Sequence, residues 1–136
     1  MKLSRSVAYA LQATMLLAEI PGKGPVPCSR LAVAGELPER FLLQILRSLV
    51  THGILESTRG VDGGYALRRP PSEISLLDVI EAVEGPIEPT RAAGRGLSPM
   101  SQQRLQGALE EITVTTRKQL KAIKISSLLG TPVQVR

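Results

Sequence analysis

Aromatic residues are nearly missing from this chain: 136 residues include no Trp, one Phe (Phe41) and two Tyr (Tyr9 and Tyr65). A core must therefore be built from Leu, Ile, Val and Ala, a material that suits helices. Cysteine is equally scarce. The single Cys28 excludes an internal disulfide and any all-cysteine metal or cluster site within one chain, and such usage reads as cytoplasmic. No apolar run approaches the length that crosses a membrane. Residues 1–18 mimic a signal peptide only faintly, because Gln12 and Thr14 interrupt the apolar stretch and no small-x-small cleavage site precedes "EIPGKG". Paired carboxylates, a Ser/His/Asp arrangement and a metal-ligand cluster are also missing, so an enzyme is not expected.

What is present is charge, unevenly placed. The length suits one domain, or one domain with an appended helix, and the net charge of +5 favours a polyanionic partner. Residues 1–70 carry nine basic and five acidic side chains, a net of +4. Residues 71–90 carry five acids and no base, and residues 91–136 return to +6. Such blocks suggest separate functional surfaces.

Helical spacing of Leu3, Val7, Ala10, Leu11, Met15 and Ala18 predicts a first helix over 2–20, ended by Pro21-Gly22. A short helix over 29–34 follows, with Leu31 and Ala32 facing inward. Gly35 lies just past its end, where a left-handed residue belongs. Pro38 is expected at the first position of the next helix, 38–53, whose Leu42, Ile45, Leu46 and Leu49 form one apolar stripe. "ILEST" and "YALRR" flank "RGVDGG" and read as a β-hairpin. Ser72 or Ser75 can cap a helix over 76–85 with Leu76, Val79, Ile80 and Val83 inward. After an irregular stretch, 86–99, a long helix is expected from about 101 to 123, with 125–130 as a last turn. The fold class is mainly α, and the expected parts are a DNA-binding domain (1–85), a linker loop (86–99), a dimerisation helix (100–130) and a tail (131–136).

Two short helices joined by a three-residue turn and followed by a hairpin spell a winged helix-turn-helix. The face of the second helix opposite its buried stripe presents Arg40, Gln44, Arg47 and Thr51, with Phe41 and Leu43 beside them. Arg40 and Gln44 can read guanine and adenine edges, and Phe41 or Leu43 can meet a thymine methyl. The plainer alternative is an ordinary solvated helix face. "RGVDGGY" could also be a phosphate-cradling loop, but no Lys-Ser/Thr pair follows its glycines and the next element is a strand. As a wing tip, Gly60 brings the backbone close to phosphates and Arg59 can enter a narrow minor groove. Lys2 and Arg5 would add phosphate contacts with Arg40 and Arg47. Tyr65 is expected to pack the wing onto the helices.

"MKLSRSVAYAL", "LPERFLLQILRSLVTHGIL", "RGVDGGYAL" and "ISLLDVIEAVEGPIEP" together resemble the Rrf-two family of bacterial winged-helix transcription regulators over about residues 1–90. The resemblance implies a homodimer held by crossed long helices on a palindromic operator in double-stranded DNA, most simply a repressor. The family's groove-contacting positions then fall on Pro38, Arg40, Phe41, Leu43, Gln44 and Arg59. Leu43 stands where cluster-binding relatives often carry an acidic residue, so operator preference does not transfer. Cluster-binding members also carry three cysteines before the dimer helix, whereas "TRAAGRGLSPMSQQRL" (90–105) has no Cys and no His. No cofactor is expected, and the chain resembles the clusterless, cysteine-metabolism branch.

The long helix would bury Leu105, Leu109, Ile112, Thr116, Leu120 and Ile123 against a second copy. Cys28, before a short helix and near Arg30, is weighed as a redox sensor with a lowered thiol pKa; a half-buried thiol filling a gap is the preferred reading. His52 ends the reader helix, where it caps the helix or touches a phosphate. A rival function is a protein-interaction module using the acidic segment 71–90 and the loop 86–99 to bind a regulatory protein or metabolic enzyme.

Overall fold

The computed structural model describes residues 3–20, 24–91 and 94–130. The expected stop at Pro21-Gly22, the contact residue Lys2 and the tail 131–136 lie outside them. The first helix, α1 (Arg5–Glu19), begins where Ser4 accepts a hydrogen bond from the Val7 amide. Its buried residues are Val7, Ala10, Ala13 and Thr14, while Leu3 lies outside the helix and is exposed. The expected inward line is thus shifted, because α1 packs against several neighbours at once, chiefly α4 and α3, with α2 and β2 beside them. Thr14 can be buried there because its hydroxyl donates to the Ala10 carbonyl at 2.7 Å.

α2 (Cys28–Gly35) and α3 (Glu39–Thr51) are joined by residues 36–38. Gly35 is not the left-handed residue; it is the last helical one, and Glu36 takes that conformation at φ 52°. Gly35 instead leaves room for the side-chain tips of α1. A Cβ there would lie 2.9 Å from Leu16 Cδ1 and 3.0 Å from Gln12 Nε2, and Gln12 donates to the Gly35 carbonyl at 2.9 Å. Pro38 sits at the N-cap rather than inside α3, and its carbonyl accepts the first helical bond from Leu42 at 2.9 Å. Leu42, Ile45, Leu46 and Leu49 are all buried, as their spacing predicts. Beyond His52, the Gly53 amide bonds Val50 and the Ile54 amide bonds Leu49, both at 3.0 Å, the double closure of a Schellman stop.

The hairpin pairs β1 (Leu55–Thr58) with β2 (Gly64–Leu67), Leu55 opposite Leu67 and Thr58 opposite Gly64. Val26, in the connector, pairs with Tyr65 on the other edge of β2 through two 2.8 Å backbone bonds. Close backbone approaches explain two of the wing glycines, Gly63 through the hairpin's own first strand and Gly64 through this join. A Cβ on Gly63 would lie 2.1 Å from the Thr58 carbonyl oxygen, and one on Gly64 2.4 Å from the Val26 carbonyl carbon.

After a 3-10 turn (Pro71–Glu73), Ser75 caps α4 (Leu76–Glu84) in a capping box with Asp78. Its buried residues are Leu77, Val79, Ile80 and Ala82, with Leu76 and Val83 half-buried instead of facing fully inward. The reason is that α4 lies between two apolar clusters. One is the main core under α1–α3; the other joins Val7, Leu77, Ile80 and Leu120. α5 (Pro99–Ala122) extends about 36 Å at 1.5 Å per residue, and α6 (Ile125–Leu128) is one short turn. Ile125 and Ile74, both fully buried, tie the end of α5 to the start of α4, with Ile125 N–H donating to the Ile74 carbonyl at 2.8 Å.

Candidate nucleic-acid interface

The buried stripe of α3 fixes its other face outward. Arg40, Gln44, Arg47 and Thr51 are exposed, and Leu43 is half-buried. Pro38 is exposed at the N-cap and provides no side-chain cap. The first amides of α3 therefore lack a side-chain acceptor and can meet an anion. Phe41 is 40% exposed, and its ring meets Tyr9 edge-on at a centroid distance of 5.8 Å. Arg5 is exposed at the first position of α1. Among the described residues, the guanidinium groups of Arg5, Arg40, Arg47 and Arg59 have no carboxylate partner.

The wing tip is equally open. Arg59, Gly60, Val61 and Asp62 are all exposed, and Val61 completely so. Gly60, at φ 108°, has nothing within 4 Å of a Cβ position. Of the three wing glycines, then, only Gly60 is free to approach another molecule; Gly63 and Gly64 make room for the chain's own backbone. Tyr65 packs against the main core, as expected.

At Cys28 the preferred reading of a half-buried thiol holds and the lowered pKa of the sensor alternative does not, and at Leu120 the expectation changes. Cys28 is half-buried, and burial first, then the Glu39 carboxylate, push its thiol pKa up rather than down. The helix N-terminus and Arg30 do not prevail, because Sγ lies against the α3 start, 3.8 Å from the Glu39 carbonyl oxygen. Leu120, counted with the dimer stripe, is only 8% exposed and belongs to the chain's own second cluster, because the last turns of α5 fold back onto α1 and α4. Leu105, Ile112 and Ile123 are exposed, and Leu109 and Thr116 half-buried. His52 caps its helix: Nδ1 lies 2.8 Å from the Ser48 carbonyl.

Three of the five acids of the block have partners within the chain, while Glu73, Glu84 and Glu88 are exposed. Asp78 serves the capping box and lies 3.5 Å from Arg69. Glu81 pairs with Arg117 and accepts from the Ile87 amide, and Glu84 accepts from Ser4. The Glu81–Arg117 and Glu84–Ser4 pairings were not legible along the chain, because their partners lie 36 and 80 residues away. The brace that α1 gives the reader helix was also missed. Its signal was the i, i+3 and i, i+4 spacing of Arg5, Tyr9 and Gln12.

Helix, three-residue turn, exposed helix and hairpin define a winged helix-turn-helix protein. The chain belongs to the Rrf2 (Rrf-two) family, whose model, described as an iron-dependent transcriptional regulator, matches residues 3–131. It is 39% identical over 101 residues to a candidate HTH-type transcriptional regulator of Mycobacterium tuberculosis, covering 74% of this chain and 63% of that one. It is 37% identical over 89 residues to the regulator CymR of Bacillus subtilis, covering 65% and 64%. Each alignment thus spans somewhat less than two thirds of the relative's length. The solved structure of CymR, the global cysteine regulator of B. subtilis, superposes with a TM-score of 0.76 at 28% identity, covering 94% of this chain and 95% of that one. The structure of T. potens IscR gives 0.72 at 27%, covering 94% and 85%.

The family description raises iron as a question for this chain. Residues 90–105 contain no Cys, His, Asp or Glu and three arginines, so they offer no thiolate, imidazole or carboxylate to iron. Among the described residues, no group of three such side chains could hold a metal ion. An amide organises the loop instead: Gln102 Nε2 donates to the Gly94 and Leu97 carbonyls at 2.9 and 3.0 Å. The donor set does not fit an iron–sulfur cluster. No helix among the described residues is long and apolar enough to cross a membrane.

Proposed function

We propose that this protein is a sequence-specific DNA-binding transcription regulator, a repressor, that acts in the cytoplasm as a homodimer on a palindromic operator without an iron–sulfur cluster. The observation that carries this reading is the outward face of α3, Arg40, Gln44 and Arg47, followed by a wing whose tip at 59–62 is wholly exposed. α3 would lie in the major groove, with Arg40 and Gln44 on base edges, and Arg59 would enter the minor groove. Repression needs no more than occupancy of a promoter.

The homodimer reading rests on α5, where exposed Leu105 and Ile112, with half-buried Leu109 between them, form an apolar stripe the chain itself covers only in part. Two-fold pairing would set the reader helices about 34 Å apart or a multiple of it. The cluster-free reading rests on the missing donors and on the amide-held loop. The rival interaction module gains little support, since three of the five acids between 71 and 90 have partners within the chain.

Selection of bound fragments from random duplexes tests the proposal. Two inverted half-sites are expected, with affinity unchanged by an iron chelator. Arg59→Ala is expected to cost roughly 1–3 kcal/mol of binding. No duplex binding at low salt, or an Arg59→Ala affinity equal to wild type at several salt concentrations, would contradict it.

A further inference from the structure

The chain has three aromatic side chains, and two of them meet at the start of the reader helix: Tyr9 and Phe41, edge to face at 83°. Tyr9 is half-buried, with its ring against the main core. Its hydroxyl has no hydrogen-bond partner among the described residues. Yet those residues include no buried side-chain polar atom without a partner. The ring is therefore packed while the hydroxyl reaches solvent, the amphipathic use to which tyrosine is suited.

The neighbours of Tyr9 give that hydroxyl a context. Arg5, one turn earlier on the same face of α1, is exposed and has no carboxylate partner among the described residues. Gln12, one turn later, holds the Gly35 carbonyl at the end of α2, where the turn to α3 begins. One face of α1 thus runs from a free cation, through a phenol touching Phe41, to the helix-turn-helix turn. Phe41 stands between Arg40 and, one turn on, Gln44 in α3.

Resting on the DNA-binding reading, we propose that Tyr9 is a further DNA-contact residue with two roles. Its hydroxyl donates to a backbone phosphate beside Arg5, and its ring fixes Phe41 and so the seating of α3 in the groove. The first role is blind to sequence, because phosphates carry none. The second affects discrimination between sequences.

The test compares wild type, Tyr9→Phe, Tyr9→Ala and Arg5→Ala on a selected operator and on an unrelated duplex, with thermal melting as a check on folding. Tyr9→Phe keeps the ring and is expected to bind both duplexes about tenfold more weakly, the loss of one hydrogen bond to a charged acceptor. Its operator preference and its salt slope stay at the wild-type values, because no cation is removed. Arg5→Ala lowers the salt slope by about one unit. Tyr9→Ala, if folded, also loses operator preference; if it fails to fold, the Tyr9→Phe arm decides alone. Equal binding by Tyr9→Phe and wild type at every salt concentration overturns the proposal. Absence of duplex binding by wild type itself would instead sink the DNA-binding reading beneath it.

Discussion

Gly64→Ala probes the join between wing and body. Gly64 has φ 149°, and a Cβ there would lie 2.4, 2.5 and 2.6 Å from the Val26 carbonyl carbon, its oxygen and the Pro27 nitrogen. All three are backbone atoms, so no side-chain rotation relieves the clash. The connector must move off β2, which breaks the two 2.8 Å bonds between Val26 and Tyr65. Two backbone hydrogen bonds contribute about 1–3 kcal/mol net, and a non-glycine residue at strained φ adds about 1 kcal/mol or more. The expected destabilisation is about 2–4 kcal/mol. With a urea m-value of about 2 kcal/mol/M, the midpoint falls by about 1–2 M. Gly60→Ala is the control, because it shares a positive φ of 108° but meets nothing within 4 Å; it should cost about 1 kcal/mol. Hydrogen exchange at the Tyr65 and Val26 amides should quicken in Gly64→Ala alone. Equal midpoints for the two variants would refute the claim that close packing, rather than φ, demands glycine at 64.

Ile112→Glu places a carboxylate in the exposed stripe of α5, where Ile112 is 60% exposed. Sedimentation should then give a monomer, with a melting temperature nearly unchanged at low concentration because the residue supports no internal core; a persisting dimer would locate the interface elsewhere. Burial and Glu39 hold the Cys28 thiol above its ordinary range, so less thiolate is present at pH 7 than in free cysteine. Alkylation by iodoacetamide should be slower than for free cysteine and still rising above about pH 8.5. A rate already flat below pH 7 would restore the sensor reading.

Local pattern was enough for much of this molecule. The 3.6-residue spacing of Leu42, Ile45, Leu46 and Leu49 fixed which face of α3 turns inward, and so which side chains face out. Two β-prone runs around "RGVDGG" gave the hairpin. These features depend on neighbours a few residues apart, so the chain alone specifies them. The reasons behind Gly35 and Gly64 were not legible, because each glycine faces atoms from another element: Gln12 and Leu16 for one, Val26 for the other. The same holds for Leu120, which α1 and α4 bury, and for Cys28, whose pKa rises because α3 folds over it. Glu81 looked like part of a free acidic surface until Arg117 came to it across 36 residues of sequence. Periodicity determines which face of an element is apolar; only the packed structure decides which neighbour covers that face, and with it the burial and charge around each side chain.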